Sequence, residues 1–236
     1  MHAPIPYRLP PELLLLAYRS GVFPMADSRD DEDLFWVEPR ERSILPLDGL
    51  HVSRSLLKTV RQDRFRVTVN RAFREVVQAC AQPRPDHPET WISHRIEDSY
   101  VGLNEEGHAH SVECWDGDEL VGGLYGVSFD RVFCGESMFS RRRDASKVAL
   151  AWLVALMRRA GFMLLDCQFM TEHLASLGAV EIRREEYLLK LAEAADGPQP
   201  QPLPRAYSSL LEEVEPEETG SSSPGKLIAQ SFTHTS

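Results

Sequence analysis

The sequence predicts a mixed α/β protein of the α+β class, in which a small N-terminal domain precedes a larger, sheet-containing domain. The segment 108–140 holds three successive runs of strand-forming residues, and Asp116-Gly117-Asp118 between the first two is a strong hairpin signal. The apolar segment 145–160 has the length and spacing of a buried helix. Because a further strand pattern follows at 162–169, strand, helix and strand are expected to form one unit of a single sheet.

The first 50 residues are predicted to form a small, loop-rich domain. A short helix is expected over residues 11–20, where Pro10 and Pro11 precede a leucine cluster and Gly21 follows it. The segment after it is rich in acidic residues and proline, and one short strand is predicted within it, at Ser43–Leu45. No basic segment precedes the leucines, so we interpret them as part of a helix of the folded protein and not as a signal peptide.

The main domain is expected to span residues 51–193. Its predicted elements, in order, are a helix over 54–62, a strand over 65–70, helices over 71–81 and 95–106, strands over 108–115, 119–128 and 132–140, a helix over 145–160, a strand over 162–169, a short helix after Thr171 and a last strand over 179–191. Ser53, Asp144 and Thr171 are placed to cap the helices that follow them, and Gly161 is placed to end one.

The last segment, 194–236, has the composition of a disordered acidic tail. It is rich in proline, glutamate, serine and glycine, and it shows no apolar periodicity. We therefore expect no packed structure beyond residue 193.

Composition narrows the classes of protein that fit. The chain has 236 residues, and 42% of them are hydrophobic, which is enough for one large domain or for a large and a small one. No apolar run approaches the roughly 20 residues of a membrane span, so no membrane partner is expected. The four cysteines show no CxxC spacing and three lie in apolar runs, which favours a reducing, cytoplasmic location.

Charge is distributed unevenly along the chain. The formal net charge of −10 argues against a nucleic-acid partner, yet the segment 54–74 is strongly basic and Arg141–Arg143 form a second basic cluster. Arg54, Lys58 and Arg61 are spaced along one side of the first predicted helix of the main domain. A phosphate-binding face and a merely solvated helix face both fit this pattern.

Two short apolar runs carry polar residues that a plain core strand would not hold. Phe133–Ser140 contains Glu136, and Leu164–Phe169 contains Asp166 and Gln168. Alternate residues of a strand share a face, so Asp166 and Gln168 are expected on one side of the sheet, and the strand–helix–strand unit brings Glu136 toward them. A buried carboxylate needs a partner or a cationic ligand, so the three residues form either a functional site or a structural polar network.

Two further sets of residues are candidates for a metal site and for ligand binding. His108 and His110 form an HxH pair with Cys114 further along the same predicted strand, but no second cluster completes a zinc site, and no metal is expected. Trp36 and Trp91, taken alone, are better explained as core anchors than as ligand-binding residues.

The predicted order of elements resembles the acyltransferase fold that includes the N-acetyltransferases (GNAT-like fold). In those enzymes the turn into the helix after the third strand of the meander is a glycine-rich cradle for pyrophosphate. Here that turn reads SRRRDAS, without glycine. An acetyl-CoA donor is therefore disfavoured.

A series of motifs makes the resemblance more specific. In order, they are AYRSGVFP, FWVEPRER, LHVSRSL, TWIS, GHAHSVE, LVGGLYGVSF, FCGESMFSR, ASK, DCQ and HLASLGA, and they cover roughly residues 11–192. With them the chain resembles the leucyl/phenylalanyl-tRNA–protein transferases. The resemblance implies a cytoplasmic enzyme, expected to be a monomer, that moves Leu, Phe or, less readily, Met from aminoacyl-tRNA to proteins beginning with Arg or Lys and so marks them for N-end rule degradation.

The resemblance also implies roles for particular residues. Asp166 and Gln168 match the proposed catalytic pair, and Glu136 matches a residue linked to the positive charge of the acceptor and to the reaction centre. Trp36 and Trp91 match aromatic residues around the 3′-adenosine of the tRNA. The pocket for the transferred amino acid falls on Leu124, Phe133, Met138, Leu150, Leu153 and Leu165. Arg54, Lys58 and Arg61 are our own candidates for tRNA contacts.

No cofactor is expected, because the ester of an aminoacyl-tRNA is already activated and needs neither ATP nor metal. Two other functions remain open from the residues alone. One is an acyltransferase with a different activated donor, such as an acyl-CoA or another charged tRNA. The other is an RNA-binding module without catalytic activity.

Overall fold

A seven-stranded sheet runs through the centre of the computed structural model, which describes residues 7–83, 89–214 and 222–233. The helices are α1 (Pro11–Arg19), α2 (Arg54–Arg61), α3 (Phe73–Cys80), α4 (His94–Glu105), α5 (Ala145–Ala160), α6 (Glu172–Ser176), α7 (Arg184–Ala195), α8 (Leu203–Glu212) and α9 (Pro224–Gln230). The strands are β1 (Phe23–Met25), β2 (Phe35–Val37), β3 (Glu41–Leu45), β4 (Arg66–Val69), β5 (Ala109–Asp116), β6 (Glu119–Phe129), β7 (Val132–Ser140), β8 (Leu164–Gln168) and β9 (Val180–Arg183). The large sheet has the order β4-β5-β6-β7-β8-β3-β9, and β1 and β2 form a separate hairpin.

The predicted meander and crossover are both present. Strands β5, β6 and β7 are antiparallel neighbours, and Gly117 in the first turn has the positive φ that the hairpin signal implied. Helix α5 then crosses over to β8, which pairs with β7 in parallel. This confirms the predicted mixed α/β class, with a small N-terminal piece and a larger sheet-containing part.

Strands β7 and β8 pair over only part of their length. Val132–Cys134 pair with Leu164–Asp166, and the remaining residues of the two strands have no partners across this junction. Beyond these residues β7 stays paired with β6 and β8 with β3, but not with each other, which leaves an opening between them. The carboxyl ends of β7 and β8 border this opening.

Strand β3 inserts the N-terminal part of the chain into the main sheet. It lies between β8 and β9, with Ser43 opposite Gln168 and Ile44 opposite both Asp166 and Val180. Residues 41–45, which the sequence placed in the N-terminal domain, therefore belong structurally to the large sheet.

The two faces of the sheet are covered by separate layers of helices. Helices α2, α5, α8 and α9 cover one face, and nearly every position of α5 is buried. Helices α1, α3, α4 and α7 cover the other face. The sheet thus has an apolar core on both sides, which explains why β6 and β7 read as nearly continuous apolar runs.

The structure corrects the prediction of a disordered tail. Helices α8 and α9 pack on α5 and α2, with Leu203, Leu210 and Ile228 almost fully buried. The apolar spacing in α8 is short and lies between prolines and glutamates, so it is easily missed in the sequence. Part of the expected acidic tail, residues 215–221, lies outside the described residues.

Two smaller expectations were also wrong. The segment 179–191 is not one strand, because β9 ends at Arg183 and α7 begins at the next residue, with Tyr187 and Leu191 buried at helical spacing. Asp144 does not cap α5 with its side chain; it has a positive φ of 67°, and its carboxylate lies 3.7 Å from Lys147 instead. The caps predicted at Ser53 and Thr171 are confirmed, as is the left-handed Gly161.

We expect Leu210→Ala to lower the free energy of unfolding by about 2–5 kcal/mol, because it removes a buried side chain and leaves a cavity. Urea unfolding followed by circular dichroism measures this change. The matched control is Leu211→Ala on the same helix, whose side chain is 38% exposed and whose removal should cost less than about 0.5 kcal/mol. Equal, small effects of both substitutions would show that α8 is not docked on the core.

Candidate active site

Glu136 leaves the regular pattern of β7 through a β-bulge. Tyr125 pairs with Ser137 and Gly126 pairs with Gly135, so Glu136 is the extra residue between them. A bulge turns the local strand and re-aims the side chain of the inserted residue. Here it directs the carboxylate toward α1 and α4, at the opening between β7 and β8.

The Glu136 carboxylate accepts three hydrogen bonds in a buried position. Oε1 accepts from the Tyr18 hydroxyl at 2.8 Å and from Nε2 of Gln168 at 2.9 Å, and Oε2 accepts from the Tyr100 hydroxyl at 3.1 Å. The two tyrosine hydroxyls are 2.6 Å apart. Burial raises the pKa of Glu136 to about 7, with a further contribution from Asp166, although the tyrosine hydrogen bonds oppose the rise.

Asp166 forms a buried ion pair with Arg42. Nε and Nη2 of Arg42 donate to the two carboxylate oxygens at 2.9 and 2.7 Å, and the Tyr187 hydroxyl donates to Oδ2 at 2.9 Å. Burial alone would lower the pKa of Arg42, but the Asp166 carboxylate outweighs it and the pKa is raised. The guanidinium also lies over the rings of Phe23 and Tyr187.

Gln168 ends β8 in a left-handed backbone conformation, with φ of 56°. Its backbone N–H donates to Oδ1 of Asp166 at 2.9 Å, which holds the residue in this uncommon conformation. The ion pair with Arg42 therefore fixes the position of Gln168. Because an ionised Glu136 can only accept, Gln168 presents its NH₂ group to it, and the amide Oε1 is left without a partner among the described residues.

An apolar cavity of about 400 Å³ lies at the opening between β7 and β8. Glu136 and Gln168 both line it, whereas Asp166 lies fully buried behind it. Five of the six predicted pocket residues line its wall: Leu124, Met138, Leu150, Leu153 and Leu165. The structure thus brings Glu136, Gln168 and the predicted pocket together.

The sixth predicted pocket residue, Phe133, does not line the apolar cavity. It is fully buried, and its ring fills the space over Gly126, where a Cβ would lie 2.4 Å from the ring. Phe133 therefore packs beneath the cavity wall.

The two tryptophans that are predicted to surround the 3′-adenosine of the tRNA lie on or beside the β1–β2 hairpin. Trp36 is 41% exposed and pairs with Pro24 on one face of the hairpin. Phe23 belongs to the opposite face, and its ring meets Phe169 edge to face at 5.7 Å, where Phe169 lines the apolar cavity. Trp36 thus points away from the face that reaches the cavity. Trp91 is half-buried, and its carbonyl accepts a hydrogen bond from the Ala26 N–H at the end of β1.

Helix α2 presents Arg54, Lys58 and Arg61 to solvent while Leu56 and Val60 face the core. None of the three basic side chains has a carboxylate partner within the described part of the chain. They do not line the apolar cavity.

His110 of the HxH pair is held in the core by a contact with another protein side chain. His110 is buried and its Nδ1 lies 2.9 Å from the Asn70 amide nitrogen, and burial together with His108 lowers its pKa to about 4. Residues 7–83, 89–214 and 222–233 contain no group of three or more His, Cys, Asp or Glu side chains arranged to hold a metal. The same ranges contain no helix long and apolar enough to cross a bilayer.

Sequence reasoning missed four residues of the site: Tyr18, Arg42, Tyr100 and Tyr187. Arg42 gave no local signal, because it follows Arg40 and Glu41 in a charged stretch and β3 reads ERSIL. The three tyrosines carried no signal, because each sits at an ordinary core position of its helix.

The raised pKa of Glu136 predicts a pH-dependent stability. Its folded pKa of about 7 exceeds the ordinary value of 4.5, so its stabilising contribution is full below about pH 4.5 and is lost as pH rises to about 7. The loss is about 3 kcal/mol, at about 1.4 kcal/mol per pKa unit. Urea unfolding of the wild type and of Glu136→Gln between pH 4.5 and 8 should show a difference that changes over this range. Parallel curves would contradict the raised pKa.

Comparisons with known proteins agree with the sequence motifs. A family model described as leucyl/phenylalanyl-tRNA protein transferase matches residues 44–192, and one described as the N-terminal domain of that transferase matches residues 7–40. The leucyl/phenylalanyl-tRNA–protein transferase of Novosphingobium aromaticivorans is 55% identical, with 98% of each chain covered. That of Rhizorhabdus wittichii is 60% identical over 77% of this chain and 73% of the relative.

Likeness to solved structures is weaker. The C-terminal domain of a putative lysylphosphatidylglycerol synthetase from Agrobacterium fabrum matches with a TM-score of 0.40 and 12% identity, over 72% of this chain and 56% of that one. The family models and the full-length relative together show that the chain belongs to the leucyl/phenylalanyl-tRNA protein transferase family.

Proposed function

We propose that this protein transfers leucine, phenylalanine and, less readily, methionine from aminoacyl-tRNA to proteins that begin with arginine or lysine. It is an aminoacyltransferase by family. The observation that carries the proposal is the apolar cavity, whose leucine-rich wall adjoins the polar side chains of Glu136 and Gln168. An apolar pocket with a few convergent polar groups suits a substrate that is apolar at one end and reactive at the other.

The apolar cavity accommodates the side chain of the transferred residue. Its volume of about 400 Å³ is large enough for leucine, methionine or phenylalanine. Each methylene lost from the ligand weakens its binding by about 1–3 kcal/mol, so alanine and glycine are poor donors. The ester carbonyl then lies toward Gln168.

The reaction depends more on positioning the acceptor amine beside the ester than on activating either reactant. The α-amine of the acceptor attacks the ester carbonyl carbon, a peptide bond forms, and the 3′-oxygen of the tRNA leaves and takes up the proton that the amine loses. An α-amine with a pKa of about 7.7–8.0 is partly neutral at pH 7. Oε1 of Gln168, which has no other partner in the described chain, accepts a hydrogen bond from this amine. Holding the two reactants together supplies up to about 7–11 kcal/mol.

Glu136 recognises the cationic acceptor. Three of its roughly four acceptor positions are occupied by Tyr18, Tyr100 and Gln168, which leaves one for a cationic donor. A charge-assisted hydrogen bond in a buried position favours Arg or Lys over neutral acceptors. A pKa of about 7 means that the carboxylate is only partly ionised when empty, and binding of a cation ionises it fully.

We also propose a GNAT-like domain over residues 51–193, a monomeric and cytoplasmic protein, and marking of its products for N-end rule degradation. The fold proposal is supported by the antiparallel meander, the crossover through α5 and the partial pairing of β7 with β8.

Helix α2 is proposed to contact the tRNA backbone. Replacing Arg54, Lys58 and Arg61 with glutamine should make the plot of log association constant against log salt concentration less steep, by about 2–3 in slope. Each lost phosphate contact lowers the magnitude of this slope by about 0.7–0.9. Filter binding of leucyl-tRNA at several salt concentrations measures the slope. The charge-matched control replaces three other exposed arginines, Arg40, Arg183 and Arg205. An equal decrease in both triple variants would mean that the effect comes from net charge and not from α2.

A transfer assay tests the proposed function. Leucyl-tRNA and a peptide beginning with Arg should yield a Leu-Arg peptide bond, detected by mass spectrometry, and the same peptide beginning with Ala should react far more slowly. Transfer from an acyl-CoA in place of the charged tRNA would overturn the proposed donor. Binding of tRNA without any transfer would identify an RNA-binding module instead.

A further inference from the structure

A second cavity of about 360 Å³ opens beside the apolar cavity at the start of α5. We call it the α5 cavity. Met138 and His173 line both cavities, so the two cavities are immediate neighbours. Ser140, Arg141 and Ser146 complete the polar side of the α5 cavity. None of the three has a part in the chemistry proposed above.

The α5 cavity has the electrostatics of an anion site. It lies at the N-terminus of the 16-residue helix α5, whose dipole favours negative charge, while the backbone N–H groups of Ala145 and Ser146 donate to the Arg142 carbonyl and the Ser140 hydroxyl. Arg141 donates to the Leu120 carbonyl at 3.1 Å and to the Gln82 side chain at 3.4 Å, and it has no carboxylate partner in the described residues. Its neighbours Arg142 and Arg143 are paired with Glu119 and Asp144.

The side chain of Ser146 is a second indication of a ligand, independent of the helix terminus. It is 9% exposed, and its backbone N–H donates to the Ser140 hydroxyl. Its own hydroxyl has no hydrogen-bond partner among the residues that the structure describes. Ser146 lines the α5 cavity, so its hydroxyl is available to donate to an acceptor held there.

We infer that the α5 cavity binds the 5′-phosphate of the terminal nucleotide of the donor tRNA. This inference rests on the proposed function, because the aminoacyl group in the apolar cavity is covalently joined to that nucleotide. The phosphate receives hydrogen bonds from the Ser146 hydroxyl and the guanidinium of Arg141. It lies at the N-terminus of α5. The two neighbouring cavities thus hold the two ends of one aminoacyl-nucleotide.

Two minimal donors that differ only in this phosphate test the inference. They are the ribose leucyl ester of adenosine and the same ester of adenosine 5′-monophosphate. With the wild type, the phosphate should lower KM about tenfold or more, as a charge-assisted contact does. Arg141→Gln and Ser146→Ala should each reduce this advantage while leaving transfer from the unphosphorylated ester unchanged. Ser146→Ala removes a hydroxyl with no protein partner, so the variant should fold normally.

Arg143→Gln is the matched control, since its side chain is 92% exposed and does not line the α5 cavity. It should keep the full phosphate advantage. The inference is overturned if the wild type gains nothing from the phosphate, if the variants lose activity equally with both esters, or if they alter only the dependence on acceptor length.

Calorimetric binding of adenosine 5′-monophosphate and adenosine separates this inference from the proposed function, because it needs no catalysis. If neither ester is used but the monophosphate binds more tightly through Arg141 and Ser146, the α5 cavity is a phosphate site and the proposed transfer is wrong. If transfer occurs without a phosphate advantage, the proposed function stands and the phosphate site is wrong. Absence of both transfer and binding overturns both.

Discussion

Replacing Arg42 with alanine should lower the free energy of unfolding by about 3–5 kcal/mol, one of the largest effects expected of any single substitution in this chain. The change leaves Asp166 fully buried without its cation, and among the described residues Tyr187, Cys134 and the Gln168 N–H are its remaining hydrogen-bond donors. It also removes the guanidinium that lies over the rings of Phe23 and Tyr187. Chemical unfolding at pH 7 measures the loss.

The control for this substitution is Arg40→Ala, two residues earlier and exposed, which should change stability by less than about 0.5 kcal/mol. The double variant Arg42→Ala with Asp166→Ala should lose less than the sum of the two single losses, because the second change removes the uncompensated charge. A loss below about 1 kcal/mol for Arg42→Ala would be typical of an exposed ion pair and would contradict the buried one.

The second large effect is expected for Gln168→Asn, which should lower the turnover of leucyl transfer by about 100-fold. Asparagine tolerates the left-handed backbone of this position and keeps the amide, but its side chain is shorter by one methylene. The amide oxygen is therefore displaced from the attacking amine while the apolar cavity stays intact. Steady-state kinetics with leucyl-tRNA should show KM within about twofold of the wild type.

Gln78→Asn is the matched control for this change, since Gln78 donates to Glu97 away from the apolar cavity and its shortening should leave turnover unaltered. If Gln168→Asn raises KM while turnover is unchanged, Gln168 contributes to substrate binding and not to the chemical step. Unfolding curves of both variants establish that any loss of turnover is not a loss of folded protein.

The local elements of the fold could be predicted because their patterns are local. The bounds of α5 and β7 agree with the periodicity of their residues, and the crossover between β7 and β8 follows from a strand, a helix and a strand in succession. This connectivity is what brought Glu136 and Gln168 to one place. The family motifs then indicated the leucine-rich wall of the apolar cavity.

The partners of the site could not be predicted, because they come from distant parts of the chain. Arg42 reaches Asp166 across 124 positions and Tyr18 reaches Glu136 across 118. No short pattern encodes such a contact. The bulge at Glu136 is also invisible in the sequence, since a single extra residue in a strand does not alter its composition.

The position of β3 between β8 and β9 has a consequence for biosynthesis. Arg42 leaves the ribosome 124 residues before Asp166, which is roughly 6–25 s at about 5–20 residues per second. During that interval the guanidinium has no carboxylate to receive it, and the sheet lacks the neighbours on both sides of β3. A nascent chain that stalls before Leu164 therefore holds neither the ion pair nor the apolar cavity, and the proposed site is assembled only after β8 has been synthesised.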